Sequence, residues 1–197
     1  MRVALIQVEC NDTESVDDRI DRVLGETDRV IGEADFVVLP ELWNTGAFDL
    51  ASARHHAQPL DGDLVSRMAG IAQRHSTWLH GGSFTERAHD GHFFNTSVLF
   101  GPDGSMEAVY RKIHVFGYGG EADLMSAGPE LVVANTPLGA TGLATCYDLR
   151  FPEQFRELTR QGALAFLITS GWPSARIHAW DVLVRARAIE DQAWVIA

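Results

Sequence analysis

The stretch Leu143-Ala-Thr-Cys-Tyr-Asp-Leu-Arg-Phe-Pro-Glu153 joins an apolar strand pattern to the start of a helix. The apolar run ends at Cys146, and Phe151 with Pro152 indicates a helix N-terminus, where proline is favoured. A thiol at a helix N-terminus feels the positive end of the helix dipole, which favours the nucleophilic thiolate. A lone cysteine is also commonly a buried structural residue. Other residues of the chain are therefore needed to distinguish a nucleophilic from a structural Cys146.

Strand and helix patterns alternate in the part of the chain before this stretch. Residues 3–8 form an apolar run, and apolar residues then recur at helical spacing over 16–31. Ser15 and Asp18 are spaced as a capping box for that helix. A second apolar run over 36–39 is followed by a further helical pattern. The chain therefore begins with repeated strand–helix units.

The middle of the chain changes to hairpin patterns. The turn Gly101-Pro-Asp-Gly104 joins two strand-like runs, and a second hairpin joins 131–134 to 142–145. After Cys146 the pattern returns to helix, strand and long helix. Near-continuous apolar strands between amphipathic helices predict an α/β layer structure, and the hairpins predict that its sheets are mixed.

Composition limits the class of protein. A chain of 197 residues with 46% hydrophobic and 22% charged residues is typical of one globular domain, here spanning 1–197. The net charge of −11 repels nucleic acids and anionic membranes, so we expect neither as a partner. The first ten residues lack a signal-peptide pattern, and the longest apolar run, 163–168, is far shorter than a bilayer span. We therefore expect a cytoplasmic protein with reduced cysteines.

Three polar residues follow directly after apolar runs, where ligands gather in α/β folds: Glu41, Lys112 and Cys146. A carboxylate can take the thiol proton, a thiol can attack a carbonyl or nitrile carbon, and an ammonium can neutralise the resulting oxyanion and lower the thiol pKa. Each has a structural alternative when taken alone, as a solvated loop carboxylate, a surface charge or a core thiol. Their shared position at strand ends favours a nucleophilic hydrolase.

Three motifs in the same order resemble those of the nitrilase-related carbon–nitrogen hydrolase family. They are Leu39-Pro-Glu-Leu-Trp43, Tyr110-Arg-Lys-Ile-His-Val-Phe116 and Thr145-Cys-Tyr-Asp-Leu-Arg-Phe-Pro-Glu153. The resemblance implies that Glu41 is the general base, Lys112 stabilises the tetrahedral intermediate, and Cys146 is the nucleophile that forms a thioester. It also implies that Glu121 lies beside the lysine and helps to position the substrate, although a solvated loop carboxylate is an alternative for this residue.

The resemblance further implies a four-layer α-β-β-α sandwich with mixed sheets that assembles as a homodimer or higher homo-oligomer. No cofactor is expected. The family commonly continues with further strands and a C-terminal tail, so the single domain 1–197 is expected to lack these elements.

Aromatic residues near the motifs are candidates for the wall of a small substrate pocket. We expect substrate contacts from Trp43, His114, Phe116, Tyr147 and Trp172, with plain core packing as the alternative for the aromatics and a structural role for the histidine. The histidines and cysteines lack the spacing of a zinc hydrolase, so we expect no metal site.

The predicted activity is hydrolysis of a non-peptide carbon–nitrogen bond in a small amide through a cysteine thioester, with release of ammonia or amine. The form of the cysteine motif resembles the amidase-like branches, including those acting on ω-amides of dicarboxylic acids. N-carbamoyl amidohydrolase and nitrilase are alternatives within the family. The alternative from another class is a catalytically silent relative or fragment that serves as a binding or assembly module.

Overall fold

The computed structural model describes residues 1–11 and 13–197, and these residues form two β-sheets. The strands of the first sheet are β1 (Val3–Leu5), β2 (Phe36–Val38), β3 (Trp78–Arg87), β4 (Phe93–Phe100) and β5 (Met106–Arg111). The strands of the second sheet are β6 (Val133–Thr136), β7 (Gly139–Thr145), β8 (Ala165–Thr169) and β9 (Trp194–Ile196).

The helices connect and cover these strands. They are α1 (Val16–Val30), α2 (Leu50–His55), α3 (Asp63–His75), α4 (Glu121–Leu124), α5 (Pro152–Arg160) and α6 (Ile177–Asp191). Ser15 caps α1 as predicted, because its hydroxyl accepts the N–H of Asp18 at 3.1 Å. Pro152 begins α5, also as predicted. In the described part of the chain, no helix has the length and apolar character needed to span a membrane.

Both sheets are mixed, which confirms the prediction from the hairpin patterns. In the first sheet β1, β2 and β3 run parallel, and β3, β4 and β5 pair antiparallel. In the second sheet β6 pairs antiparallel with β7, whereas β7, β8 and β9 run parallel. The parallel strands β2 and β7 therefore deliver their carboxyl ends to loops, where polar side chains can meet.

The sheets pack face to face, with helices on both outer faces. Between the sheets, Phe36 and Leu99 of the first pack with Leu143 and Leu167 of the second. Apolar side chains of α1 and α3 cover the outer face of the first sheet, and those of α5 and α6 cover that of the second. The predicted four-layer α-β-β-α sandwich is confirmed.

One histidine is buried in this core without a polar partner. His80 on β3 is fully buried beside Val38 of β2 and Leu99 of β4, which both pack between the sheets. Neither ring nitrogen has a hydrogen-bond partner within residues 1–11 and 13–197. Burial lowers the pKa of His80 to about 4, because the low-polarity surroundings disfavour the charged imidazolium.

This histidine should make stability fall in mild acid. The pKa of His80 drops on folding from its ordinary 6.5 to about 4, so the unfolded chain binds the extra proton between these pH values. The free energy of unfolding should then fall by roughly 3 kcal/mol across this window as pH decreases. We expect His80→Leu to remove this slope, measured by denaturant unfolding at several pH values. The exposed His89→Gln variant serves as control, and an unchanged slope in His80→Leu would contradict the assignment.

Candidate active site

The turn after β2 places Glu41 in the protein interior. Glu41 is 5% exposed, and Leu42 directly after it adopts a left-handed backbone with a φ of 45°. Such a conformation costs a non-glycine residue about 1 kcal/mol or more and persists only where the surroundings hold it. Here the Leu42 N–H donates to Ser83 Oγ at 3.0 Å, and the Trp43 indole N–H donates to the Gly81 carbonyl at 2.9 Å. Two hydrogen bonds to β3 thus fix the turn.

Lys112 lies directly after β5 and points at two carboxylates. Its Nζ is 2.9 Å from Glu41 Oε1 and 2.8 Å from Glu121 Oε2. All three side chains are at least nine-tenths buried. Glu121 begins α4, and its Oε2 also accepts the backbone N–H of Phe116 at 2.7 Å. The structure therefore brings three of the four predicted catalytic side chains into one buried charge cluster.

Asn95 completes this cluster and was not predicted from the sequence. Its Nδ2 donates to Glu41 Oε1 at 2.9 Å and to Glu121 Oε1 at 2.7 Å, so one amide joins both carboxylates. The backbone N–H of Lys112 donates to the Asn95 carbonyl at 2.9 Å, across the β4–β5 hairpin. One feature of the sequence could have indicated Asn95. It is an amide side chain in strand β4, and the register of the β4–β5 hairpin places it opposite Lys112.

Cys146 follows β7 at the start of a tight turn over 146–150. Its φ is 48°, a second left-handed non-glycine residue beside the site. The residue is partly exposed. Burial of its sulfur and the charge of Glu41 raise the Cys146 pKa well above its ordinary value, and the opposing effect of Lys112 is smaller. Lys112 lowers the Cys146 pKa as expected, but burial and Glu41 outweigh it, and α5 begins only at Pro152. The expected net preference for thiolate is therefore wrong.

The side chains of Glu41 and Lys112 are both stabilised in their ionised forms. Burial alone would raise the pKa of Glu41, but the charge and hydrogen bond of Lys112 and the Gly171 N–H, 2.8 Å from Oε2, lower it overall. Burial alone would lower the pKa of Lys112, but Glu41 and Glu121 raise it. The resting site thus holds a carboxylate, an ammonium and a neutral thiol.

These groups line one cavity with an empty volume of about 450 Å³, including its open mouth. Its walls carry apolar and aromatic side chains together with two arginines. The lining residues are Glu41, Ala47, Phe48, Lys112, Phe116, Gly119, Glu121, Cys146, Tyr147, Arg150, Gly171, Trp172, Pro173 and Arg176. All four predicted catalytic residues and the aromatic candidates Phe116, Tyr147 and Trp172 are among them.

Trp43 and His114, the other two predicted substrate contacts, do not line this cavity. Trp43 is 1% exposed and packs in the core between α1, α3 and the first sheet. The His114 ring stacks on Phe151 with 3.6 Å between ring centroids, and its Nδ1 is 2.9 Å from Asp148 Oδ1. Trp43 is thus a core residue and His114 has a structural role, which are the alternatives that the sequence leaves open for them. Neither is among the substrate contacts that we propose.

The cluster is not arranged for a metal ion. Within the residues that the structure describes, no group of three or more His, Cys, Asp and Glu side chains is placed to hold one. The ammonium of Lys112 lies where a cation shared by Glu41 and Glu121 would bind.

The fold and this site define a class of enzyme, the nitrilase superfamily. A solved structure of a branch 10 nitrilase-superfamily protein from Saccharomyces cerevisiae matches with a TM-score of 0.88 at 26% identity, covering 99% of this chain and 73% of that one. The carbon–nitrogen hydrolase family profile matches residues 2–197. The chain therefore belongs to the carbon–nitrogen hydrolase family, which confirms the predicted family and enzyme class.

Two curated relatives are amidases. A 2-oxoglutaramate amidase from Paenarthrobacter nicotinovorans is 43% identical over 98% of this chain and 68% of its own length. A deaminated glutathione amidase from Yersinia enterocolitica is 35% identical over 99% of this chain and 71% of its own length.

Replacing Lys112 by an uncharged residue should reverse the way in which the buried carboxylates make the free energy of unfolding depend on pH. In the protein as it stands, the lowered pKa of Glu41 gives stability that is present above its ordinary pKa and is lost as pH falls. Lys112→Met leaves two buried carboxylates without a cation, and we expect a loss of about 3–5 kcal/mol in the free energy of unfolding at neutral pH.

In Lys112→Met the buried carboxylates should instead have raised pKa values, so the stability deficit of the variant relative to the parent protein should shrink as pH falls toward 5, by about 1 kcal/mol. Denaturant unfolding at several pH values measures this. The double variant Lys112→Met with Glu41→Gln is the control, and it should recover part of the loss. A Lys112→Met variant as stable as the parent protein at neutral pH would contradict the stabilisation of both carboxylates by Lys112.

Proposed function

We propose that the protein is an amidase that cleaves the carbon–nitrogen bond of a small amide through a Cys146 thioester. The observation that carries the proposal is the joint presence of Glu41, Lys112, Glu121 and Cys146 on the wall of one cavity. The two relatives named as amidases, at 43% and 35% identity, support it.

In the acylation half, Glu41 acts as general base. Because the thiol is neutral at rest and Glu41 is ionised, the carboxylate takes the thiol proton as Cys146 Sγ attacks the amide carbonyl carbon. The negative charge that forms on the carbonyl oxygen is stabilised by the Lys112 ammonium. When the intermediate collapses, Glu41 returns the proton to the leaving nitrogen, ammonia or amine departs, and a thioester remains.

In the deacylation half, water replaces the thiol as nucleophile. Glu41 takes a proton from the water as its oxygen attacks the thioester carbon, and Lys112 again faces the oxyanion. Collapse breaks the carbon–sulfur bond, and the proton on Glu41 returns to the Cys146 sulfur as the carboxylic acid leaves. Asn95 and Glu121 hold Glu41 and Lys112 in place through both halves.

The cavity favours an acyl group that bears a carboxylate. Arg150 places its guanidinium carbon 4.9 Å from the Trp172 ring centroid, and that of Arg176 is 5.8 Å from the Phe116 ring centroid. Neither arginine forms a salt bridge with a carboxylate within the described residues. Two unpaired guanidiniums at a small-molecule site suit a substrate carboxylate. We therefore propose an ω-amide of a dicarboxylic acid, the class to which 2-oxoglutaramate belongs.

The same nucleophile and base would serve N-carbamoyl amides and nitriles, which a substrate panel distinguishes from amides. A catalytically silent family member that acts as a binding or assembly module is the alternative from another class. The predicted homo-oligomer, the cytoplasmic location and the extent of the domain stay predictions.

The first test is ammonia release from a panel of ω-amides, simple amides, N-carbamoyl amides and nitriles. We expect the parent protein to act best on an ω-amide, Cys146→Ala to be inactive, and Glu41→Gln to lose about 10²–10⁴-fold in rate. An acyl-enzyme on Cys146, detected by mass spectrometry after rapid quenching, should appear only with an intact thiol. A Cys146→Ala variant as fast as the parent would contradict the mechanism, and no turnover of any substrate would favour the silent relative.

The second test asks whether Arg150 and Arg176 recognise the carboxylate of the substrate's acyl group. We expect Arg150→Met and Arg176→Met to raise the KM for the ω-amide of a dicarboxylic acid about tenfold to hundredfold, because each removes a charged hydrogen-bond donor. The control substrate is the amide of equal chain length without the carboxylate, whose KM should change little. Equal effects on both substrates would contradict a role in carboxylate recognition.

A further inference from the structure

A buried hydrogen-bond network centred on Asp148 joins the two sheets beside the cavity. Asp148 is fully buried, and its Oδ2 accepts the Tyr110 hydroxyl at 2.6 Å and the Thr145 N–H at 2.8 Å. Tyr110 lies on β5, two residues before Lys112, and Thr145 ends β7, one residue before Cys146. One carboxylate oxygen thus links the strand end that carries the ammonium to the strand end that carries the thiol.

The same network also holds the segment that follows Lys112 in the chain. Asp148 Oδ1 accepts the backbone N–H of His114 at 2.9 Å and is 2.9 Å from the Nδ1 of its ring. The Tyr110 hydroxyl also accepts the N–H of Ile113 at 3.2 Å and the amide N–H of Gln154 at 3.0 Å. Asp148 Oδ2 therefore binds groups from both sheets, and Oδ1 binds the segment that follows β5.

The backbone at Cys146 needs such support. Its φ of 48° is a left-handed conformation that a non-glycine residue leaves unless its surroundings hold it. Asp148 accepts the N–H of the residue immediately before Cys146. Without that acceptor the turn would be free to relax, and the sulfur would move relative to Glu41 and Lys112.

We propose that Asp148 is a positioning residue that fixes the turn of Cys146 against the strand end of Lys112, with Tyr110 as its bridge to the first sheet. The inference rests on the proposed function, in which Cys146 is the nucleophile, and adds residues that the mechanism does not use. Asp148 and Tyr110 do not line the cavity. Their loss should therefore lower kcat and leave KM nearly unchanged.

The experiment compares Asp148→Asn and Tyr110→Phe with a matched control, Glu86→Gln. Glu86 is also a buried carboxylate, 2% exposed, and it accepts the Thr96 hydroxyl at 2.6 Å and the Arg111 guanidinium at 2.6 and 2.8 Å. It joins β3, β4 and β5 outside the cavity. The control therefore reproduces the loss of a buried carboxylate without touching the turn of Cys146.

Turnover is measured per active site, counted by the Cys146 acyl-enzyme, so that unfolded protein does not contribute. We expect Asp148→Asn to lower kcat about a hundredfold and Tyr110→Phe about tenfold, with KM within about threefold, because small displacements of reacting groups cost rates of this order. Glu86→Gln should keep its kcat although it loses thermal stability. A kcat of Asp148→Asn equal to the parent, or an equal fall in Glu86→Gln, would overturn the proposal.

Two further measurements separate the possible failures. If Asp148→Asn does not fold, Tyr110→Phe decides, since a kcat equal to that of the parent overturns the proposal and a selective fall in kcat supports it. If the parent protein turns over no substrate, the proposed function fails, and the rate of Cys146 alkylation by iodoacetamide tests the positioning instead. A change of about tenfold in Asp148→Asn, absent from Glu86→Gln, supports it, and equal rates overturn it.

Discussion

The buried contact between the Lys112 ammonium and the carboxylates of Glu41 and Glu121 is the interaction on which the site depends. Taking three charges out of water is costly, and their mutual attraction repays that cost only when geometry and additional hydrogen bonds are good. Asn95, Gly171 and the backbone of the loop before α4 supply those hydrogen bonds. The arrangement keeps Glu41 ionised next to the thiol and so leaves that carboxylate available as a base.

The two-sheet architecture explains how residues far apart in sequence reach this contact. Glu41 and Lys112 follow strands of the first sheet, whereas Cys146 follows a strand of the second. The face-to-face packing of apolar side chains brings the two sheets together. This packing is not directional, so it does not by itself fix the position of one strand end relative to another. The polar network of Asp148 and the left-handed turns at Leu42 and Cys146 supply directional constraints of that kind.

Much of the fold was predictable from the sequence because it follows from local periodicity, and the strand ends pointed to Glu41, Lys112 and Cys146. Two kinds of feature were not predictable. The burial of Trp43 and the stacking of His114 depend on how loops pack, which periodicity does not encode. The direction of the Cys146 pKa depends on a balance between burial and two opposite charges, and a helix-dipole argument made from the sequence omits the larger of these effects.

The raised pKa of Cys146 has a consequence for how readily peroxides oxidise its sulfur. Peroxides attack thiolates far more readily than thiols, and the progression from sulfenic to sulfonic acid follows thiolate character and exposure. In the proposed mechanism Cys146 is deprotonated only as a substrate carbonyl arrives, so the thiol is less exposed to such damage even though its cavity is open to solvent. Burial and the charge of Glu41, which raise the Cys146 pKa, thus favour slow oxidation of the thiol.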